Sequence, residues 1–158
     1  VFSGSVHAHD AVNMVMARDF NQASLTAMTD IGRVLVFNDM LDSLVAAGYD
    51  PDIDAGDYAA AVPSVNAHLN HLSVFGTFRG STIASGVAPV GEGDFIHGLG
   101  VANLGTVGAI SLRNVDTNNN ARPFGVVAQD DVDRLLVNSQ SVNDVYQQDD
   151  FYVNILRA

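Results

Sequence analysis

The chain contains no cysteine and no lysine among its 158 residues, and it has only four prolines. Without cysteine there is no disulfide, no thiolate metal site and no cysteine nucleophile. Without lysine there is no Schiff base and no phosphate-binding loop of the kind that ends in lysine. These absences exclude several classes of enzyme and of metal site.

Positive charge is scarce as well. Seven basic residues, all of them arginine, stand against 18 acidic residues, and the formal net charge is −11. Nucleic acids and anionic membrane surfaces both require clustered basic side chains, so neither is expected as a partner. No apolar run approaches the roughly 20 residues that cross a bilayer as a helix, and we therefore expect no membrane span.

The length and composition favour one folded domain over residues 1–158. A hydrophobic content of 47% is sufficient for a packed core. The chain begins at Val1 rather than at methionine; processing after a signal peptide would explain this start, and so would a chain trimmed from a longer protein. We accordingly expect a secreted protein, located outside the cell or at the cell surface.

Hydrophobic periodicity predicts a mainly β fold. Short apolar runs separated by glycine turns favour an antiparallel β-sandwich of Greek-key type. Apolar residues at helical spacing in "NDMLDSLVAAG" predict a helical insertion at about 38–70, and those in "QDDVDRLLVN" predict one or two further helical turns. No internal repeat is apparent from this reading.

Three stretches, in order, resemble the CHRD domain, a module of chordin and of bacterial exported proteins. They are "VFSGSVHAHDAV", "FIHGLGVANLGTVGAISL" and the final "AQDDVDRLL" with "FYVNILRA". Phe95 and Leu156 stand where the family pattern has histidine, and residues 38–70 have no counterpart in it. The resemblance implies an antiparallel β-sandwich, similar in outline to Cu/Zn superoxide dismutase, in an extracellular protein of mostly unassigned activity.

His7 and His9 are the first candidate metal ligands. Side chains at i and i+2 of a strand point to the same face, so the two imidazoles are placed to chelate zinc or copper. A third ligand is expected from His68, His71 or His97, the first two sharing a face of the predicted helix. The alternative is that both N-terminal histidines simply face solvent.

Two acidic or amide-rich loops are candidates for calcium, which prefers oxygen ligands at alternating positions. The candidate ligands are Asp50, Asp52, Asp54 and Asp57 in the first loop and Asp116, Asn118 and Asn120 in the second. Neither loop is an EF-hand, because position twelve would fall on Ala61 or Val127 instead of glutamate. Asp and Asn also favour turns, so solvated loops are the alternative.

These observations favour a non-enzymatic extracellular structural or interaction module. We expect it to self-associate through sheet edges as a homo-oligomer, filament, surface layer or matrix subunit, with calcium as a possible stabiliser. The alternative is a copper or zinc protein, or a dismutase-like enzyme, that uses the N-terminal histidine pair. No catalytic residues are predicted.

Overall fold

The computed structural model describes residues 1–52, 66–90, 94–100, 105–142 and 145–156, and all of its regular secondary structure is strand. The strands are β1 (Phe2–Ala8), β2 (Val12–Ala17), β3 (Phe20–Ala27), β4 (Ile31–Val36), β5 (Met40–Leu41), β6 (Leu44–Ala47), β7 (Ala67–Arg79), β8 (Thr82–Ser85), β9 (Val87–Val90), β10 (Asp94–Gly100), β11 (Gly105–Val115), β12 (Phe124–Ala128), β13 (Asp131–Val137), β14 (Gln140–Val142), β15 (Tyr146–Gln148) and β16 (Phe151–Ile155).

Most of these strands belong to two parallel ladders. The first ladder runs β1, β3, β6, β8, β12 and β16, and each neighbouring pair in it is parallel. The second runs β2, β4, β7, β11 and β13, again with parallel pairs throughout. The short β5 pairs with both β3 and β7 and thereby joins the ladders into one nearly closed sheet.

The chain passes alternately from one ladder to the other, so it winds as a stack of coils. Residues in contact between the first two coils are 19 positions apart, as His7 and Thr26 are. Between the next pairs of coils the separation is 20 at Ala23 and Ser43, and 38 at Ser43 and Ser81. Coils of unequal length therefore stay in register, which is the winding of a β-solenoid.

The core lies between the two ladders. A column of large side chains follows the stacking direction, and each member of it is fully buried. Its members are Phe20, Met40, Phe78, Phe124 and Phe151, with Phe2 packed on Phe20 at the first coil. The rings of Phe124 and Phe151 contact each other at 5.6 Å between centroids, so aromatic packing continues from coil to coil.

A second, smaller core lies outside the first ladder. The antiparallel pair of β9 and β10 places Phe95 and Ile96 against Ala46 and Val127. Tyr49 packs edge-on against Phe95, with 5.1 Å between the ring centroids. This hairpin therefore covers part of the outer face of the first ladder.

The prediction of a mainly β fold is confirmed, but the prediction that the strands run antiparallel is wrong. Only three strand pairs among the described residues are antiparallel, namely β9 with β10, β13 with β14, and β15 with β16. Alternating burial indicates that a strand has one buried face, but it does not fix whether the neighbouring strand runs parallel or antiparallel to it. That direction distinguishes a parallel β-solenoid from an antiparallel β-sandwich.

The predicted helical insertion is not found in its described part, 38–52 and 66–70, which contributes strands β5, β6 and the start of β7. Residues 53–65 of that prediction lie outside the described residues. The helical turns expected near Val132 are also wrong, because β13 occupies that position. In β13 the two exposed residues Asp133 and Arg134 separate the buried Val132 and Leu135, whereas Leu41 and Leu44 belong to two separate short strands; both arrangements give the i, i+3 spacing of a helix.

In the part of the chain that is described, no helix has the length and apolar character needed to cross a membrane.

Candidate metal centre

His7 and His9 lie at the end of β1, where the first coil turns toward β2. His7 is partly buried and pairs in register with Thr26 of the next coil, whereas His9 is exposed. Their rings meet edge to face with centroids 5.0 Å apart. The two imidazoles therefore lie beside each other, although His9 follows the end of β1, and metal binding by the pair stays a prediction.

The two ring nitrogens of His7 have different surroundings. Nδ1 is 2.8 Å from the hydroxyl oxygen of Thr26, a side chain that is almost fully buried. Nε2 is buried and has no hydrogen-bond partner among the described residues. The Asp50 carboxylate lies 3.5 Å from Nε2, a separation that allows an ion pair with a protonated ring but does not meet hydrogen-bond geometry.

Asp50 and Asp52 reach this corner from the third coil. The backbone N–H of Asp52 donates to the Asp50 carboxylate at 2.9 Å, which closes a short turn. The turn brings one oxygen of Asp52, one imidazole nitrogen of His7 and one of His9 within 4.8 Å of one another. Residues from the predicted histidine pair and from the first predicted acidic loop thus form a single cluster.

The third member of the described cluster is Asp52, and none of the three histidines predicted as a third ligand belongs to it. His68 lies on β7 with Nδ1 2.6 Å from the Thr106 hydroxyl, and His71, on the same strand, contacts Ser73. His97, on β10, pairs with the Asp94 carboxylate at 2.8 Å. Asp54 and Asp57 lie outside the described residues.

Burial and the neighbouring charge of Arg33 lower the pKa of His71 below its ordinary value of 6.5. Arg33 and His71 are register partners on β4 and β7, so the guanidinium lies across the ladder from the ring. A neutral His71 is therefore favoured in the folded protein.

In the second predicted calcium loop, side-chain oxygens accept hydrogen bonds from backbone N–H groups of the same loop. Asp116 accepts from the N–H of Asn118, and Asn118 accepts from the N–H of Asn120. Asp116 also lies 3.7 Å from Arg79, a cation that competes with any bound metal. These contacts favour the turn-forming alternative, and calcium binding in this loop stays a prediction.

A cavity of about 460 Å³ adjoins that loop. Its lining consists of Asp42, Arg79, Asn118, Asn119, Asn120 and Arg122. Charges of both signs and amides line it together, so the lining selects no single class of ligand.

Local spacing did not predict the proximity of Asp52 to the two histidines, because the two candidate groups are far apart in sequence. Ala8, Ala27 and Ala47 are successive register partners on β1, β3 and β6. The residues that follow Ala47 are therefore placed at the same corner as the residues that follow Ala8. Recognition of the coil repeat would have predicted this proximity.

No family model matches the chain, and no curated protein or solved structure matches it significantly.

Proposed function

We propose that this chain is a non-enzymatic structural and interaction module, acting outside the cell, that self-associates through the edge of its first coil. The observation that supports this proposal is the open edge formed by β1 and β2. Each of these strands pairs on one side only, with β3 and β4 respectively, and no described residue pairs with the other side.

The composition of the two edge strands favours pairing with another chain. β1 reads FSGSVHA and β2 reads VNMVMA, so neither contains proline, lysine or any acidic residue. Soluble β proteins usually protect their edges with charge, proline or a covering segment. The edge of the first coil lacks the first two protections, and no described segment covers it.

The opposite end of the stack is different. There, β13 is followed by the three-residue antiparallel strand β14, and β16 is flanked by the three-residue antiparallel strand β15. Short antiparallel strands interrupt a parallel ladder and leave little edge for further pairing. The described stack therefore has one open end and one closed end.

Exposed apolar side chains are concentrated near the open end. Val6, Met14 and Met16 of the first coil are 44%, 52% and 61% exposed. Phe37 and Phe75, on neighbouring coils, stack on each other at 6.1 Å and are also about half exposed. This surface suits a second copy of the chain, since two identical edges related by a twofold axis can pair with each other.

The test is the mass of the purified chain in solution, measured by light scattering. We expect a mass above the 16.7 kDa of one chain. Replacing Met14 and Met16 together by glutamate should return the mass to that of a monomer, because like charges would face each other across the paired edges. The matched control is Val145→Glu, since Val145 is 75% exposed and precedes β15 at the closed end.

A monomeric wild-type chain would contradict the proposal, as would a Val145→Glu variant that dissociates as fully as the double variant. The same measurement in EGTA examines the calcium prediction. A loss of mass on chelation would indicate that calcium takes part in assembly, and an unchanged mass would contradict the calcium prediction.

A further inference from the structure

The cluster at the corner of the first coil contains the ligand types of a transition-metal site. We propose that His7, His9 and Asp52 bind a divalent transition metal, of which zinc is the expected one, and so connect the third coil to the first. Two imidazoles and one carboxylate form a common zinc ligand set, with the fourth position open to water.

The free nitrogen of His7 is the first argument for this site. When the Nδ1–H of His7 donates to the Thr26 hydroxyl, the lone pair of Nε2 is directed away from that contact and is available to a metal. Metal-binding histidines usually have their second nitrogen held by a hydrogen-bond acceptor in this way. A buried Nε2 with no hydrogen-bond partner is costly in the metal-free protein, and a bound cation would satisfy it.

The geometry of the cluster is the second argument. In a tetrahedral zinc site with bonds of about 2.0–2.1 Å, neighbouring ligand atoms are about 3.4 Å apart. The three ligand atoms here lie within 4.8 Å of one another. His9 and Asp52 are exposed, so small side-chain rotations can bring them to the required separation without repacking the core.

The chemistry of the ligands selects the metal. Imidazole nitrogen suits zinc and copper, whereas calcium requires six to eight oxygen ligands. Asp50 is a positioning residue in this proposal, because it holds the turn that presents Asp52 and places a negative charge 3.5 Å from His7 Nε2. The site therefore differs from the all-oxygen calcium site predicted from the aspartate spacing.

The comparison with His68 shows what is particular to this corner. His68 also pairs in register with a threonine, Thr106, and also contacts its hydroxyl through Nδ1. Among the described residues, however, His68 belongs to no group of three potential ligands. A histidine–threonine contact between coils is thus a structural feature of the stack, and the convergence of His9 and Asp52 is the additional feature that indicates a metal.

The experiment is calorimetric titration of the full chain with zinc chloride, after removal of metal by a chelator. We expect one zinc per chain. His9→Ala and Asp52→Asn should each lower the affinity by at least tenfold, and both variants should fold normally because these side chains are exposed. Asp50→Ala removes the oxygen that accepts from the Asp52 N–H and should lower the affinity by about 10- to 100-fold, the usual effect of losing a residue that orients a ligand.

The control is His97→Ala, which removes an exposed histidine that also lies beside a carboxylate. It should bind zinc as the wild type does. Saturating zinc should also raise the melting temperature of the wild type and of His97→Ala, but not of His9→Ala, because a ligand that binds only the folded state stabilises it.

Absence of stoichiometric binding would overturn the site, and so would equal loss of affinity in His9→Ala and His97→Ala. The site does not depend on self-association. Light scattering of His9→Ala separates the two proposals, because a variant that loses zinc and keeps the wild-type mass supports this site and leaves the proposed assembly intact.

Discussion

At the scale of single residues, side-chain oxygens of Asp and Asn at the corners of one coil accept from backbone N–H groups of another. Asp30 accepts from the N–H of His68 at 2.9 Å, and Asp39 accepts from the N–H of Thr77 at 2.7 Å. Asn138 does the same for Val115. These side chains satisfy N–H groups that the ladders leave free at the bends, so part of the acidic composition is structural.

Asp39→Ala should therefore destabilise the fold by roughly 1 kcal/mol, because it leaves the partly buried N–H of Thr77 without its acceptor. Asp39→Asn keeps an acceptor oxygen and should retain most of that stability. Urea denaturation of both variants measures the difference. Asp133→Ala, at an exposed position on β13, is the control and should change stability by no more than about 0.5 kcal/mol.

The lowered pKa of His71 predicts that the folded protein loses stability in acid. Because its pKa is lowered in the folded state, the unfolded chain takes up a proton first as the pH falls. The contribution of His71 is fully present above pH 6.5 and is lost progressively as the pH falls from 6.5 through the lowered pKa. Replacing His71 by glutamine should make the melting temperature less dependent on pH in that range.

The neighbouring arginine provides a second check of the same effect. Arg33→Gln removes the charge that opposes protonation, so it should move the titration of the His71 ring toward higher pH in an NMR experiment. The shift should be partial, because burial is the larger cause. An unchanged titration in Arg33→Gln would show that the two side chains do not interact.

At the scale of elements, each strand of the second ladder bends at the same place. Apolar residues stand at the first, fourth and sixth positions of the pattern, partly buried in β2 and buried in the other strands, with two outward residues between the first two. The pattern occurs in "VNMVMA", "IGRVLV", "LNHLSV", "VGAISL" and "VDRLLV", which are register neighbours in the ladder. Glycine occupies an outward position where the next coil approaches closely: a Cβ at Gly108 would lie 2.3 Å from the Asn70 carbonyl oxygen.

The buried column of large side chains predicts that two phenylalanines of the same strand contribute very differently to the free energy of unfolding. Phe78 is fully buried on β7, whereas Phe75 is 47% exposed. Phe78→Ala should cost about 3–5 kcal/mol because it opens a cavity between coils. Phe75→Ala should cost much less, and chemical denaturation of both variants makes the comparison within one element. Equal costs would mean that the column contributes no more than surface packing.

At the scale of the whole molecule, the net charge of −11 opposes the association of identical chains. Salt shortens the range of this repulsion, from about 30 Å at 0.01 M to about 8 Å at 0.15 M. If apolar edges drive assembly, the light-scattering mass should rise with sodium chloride over this range. A mass that falls with salt would instead indicate pairing between opposite charges.

The sequence predicted the strand content better than the topology. Strand signals such as Phe151, Val153 and Ile155 depend on local alternation, and β16 is present as expected. The coil repeat was missed because its length varies from 19 to 38 residues between contacts, which hides the period. The histidine pair was identified from local spacing, whereas Asp52 required the register between the first and third coils.

The register also bears on how such a chain could be modified. Ala47 and Ser85 are direct partners, and the residues after each, Gly48 and Gly86, both adopt positive φ angles as the chain leaves the first ladder. Leu69 and Val107 are again in register where the chain re-enters the second. The number of residues that connect the two ladders at this corner can thus differ between coils without changing the register of the strands. This corner is therefore a suitable place to insert a foreign peptide for display.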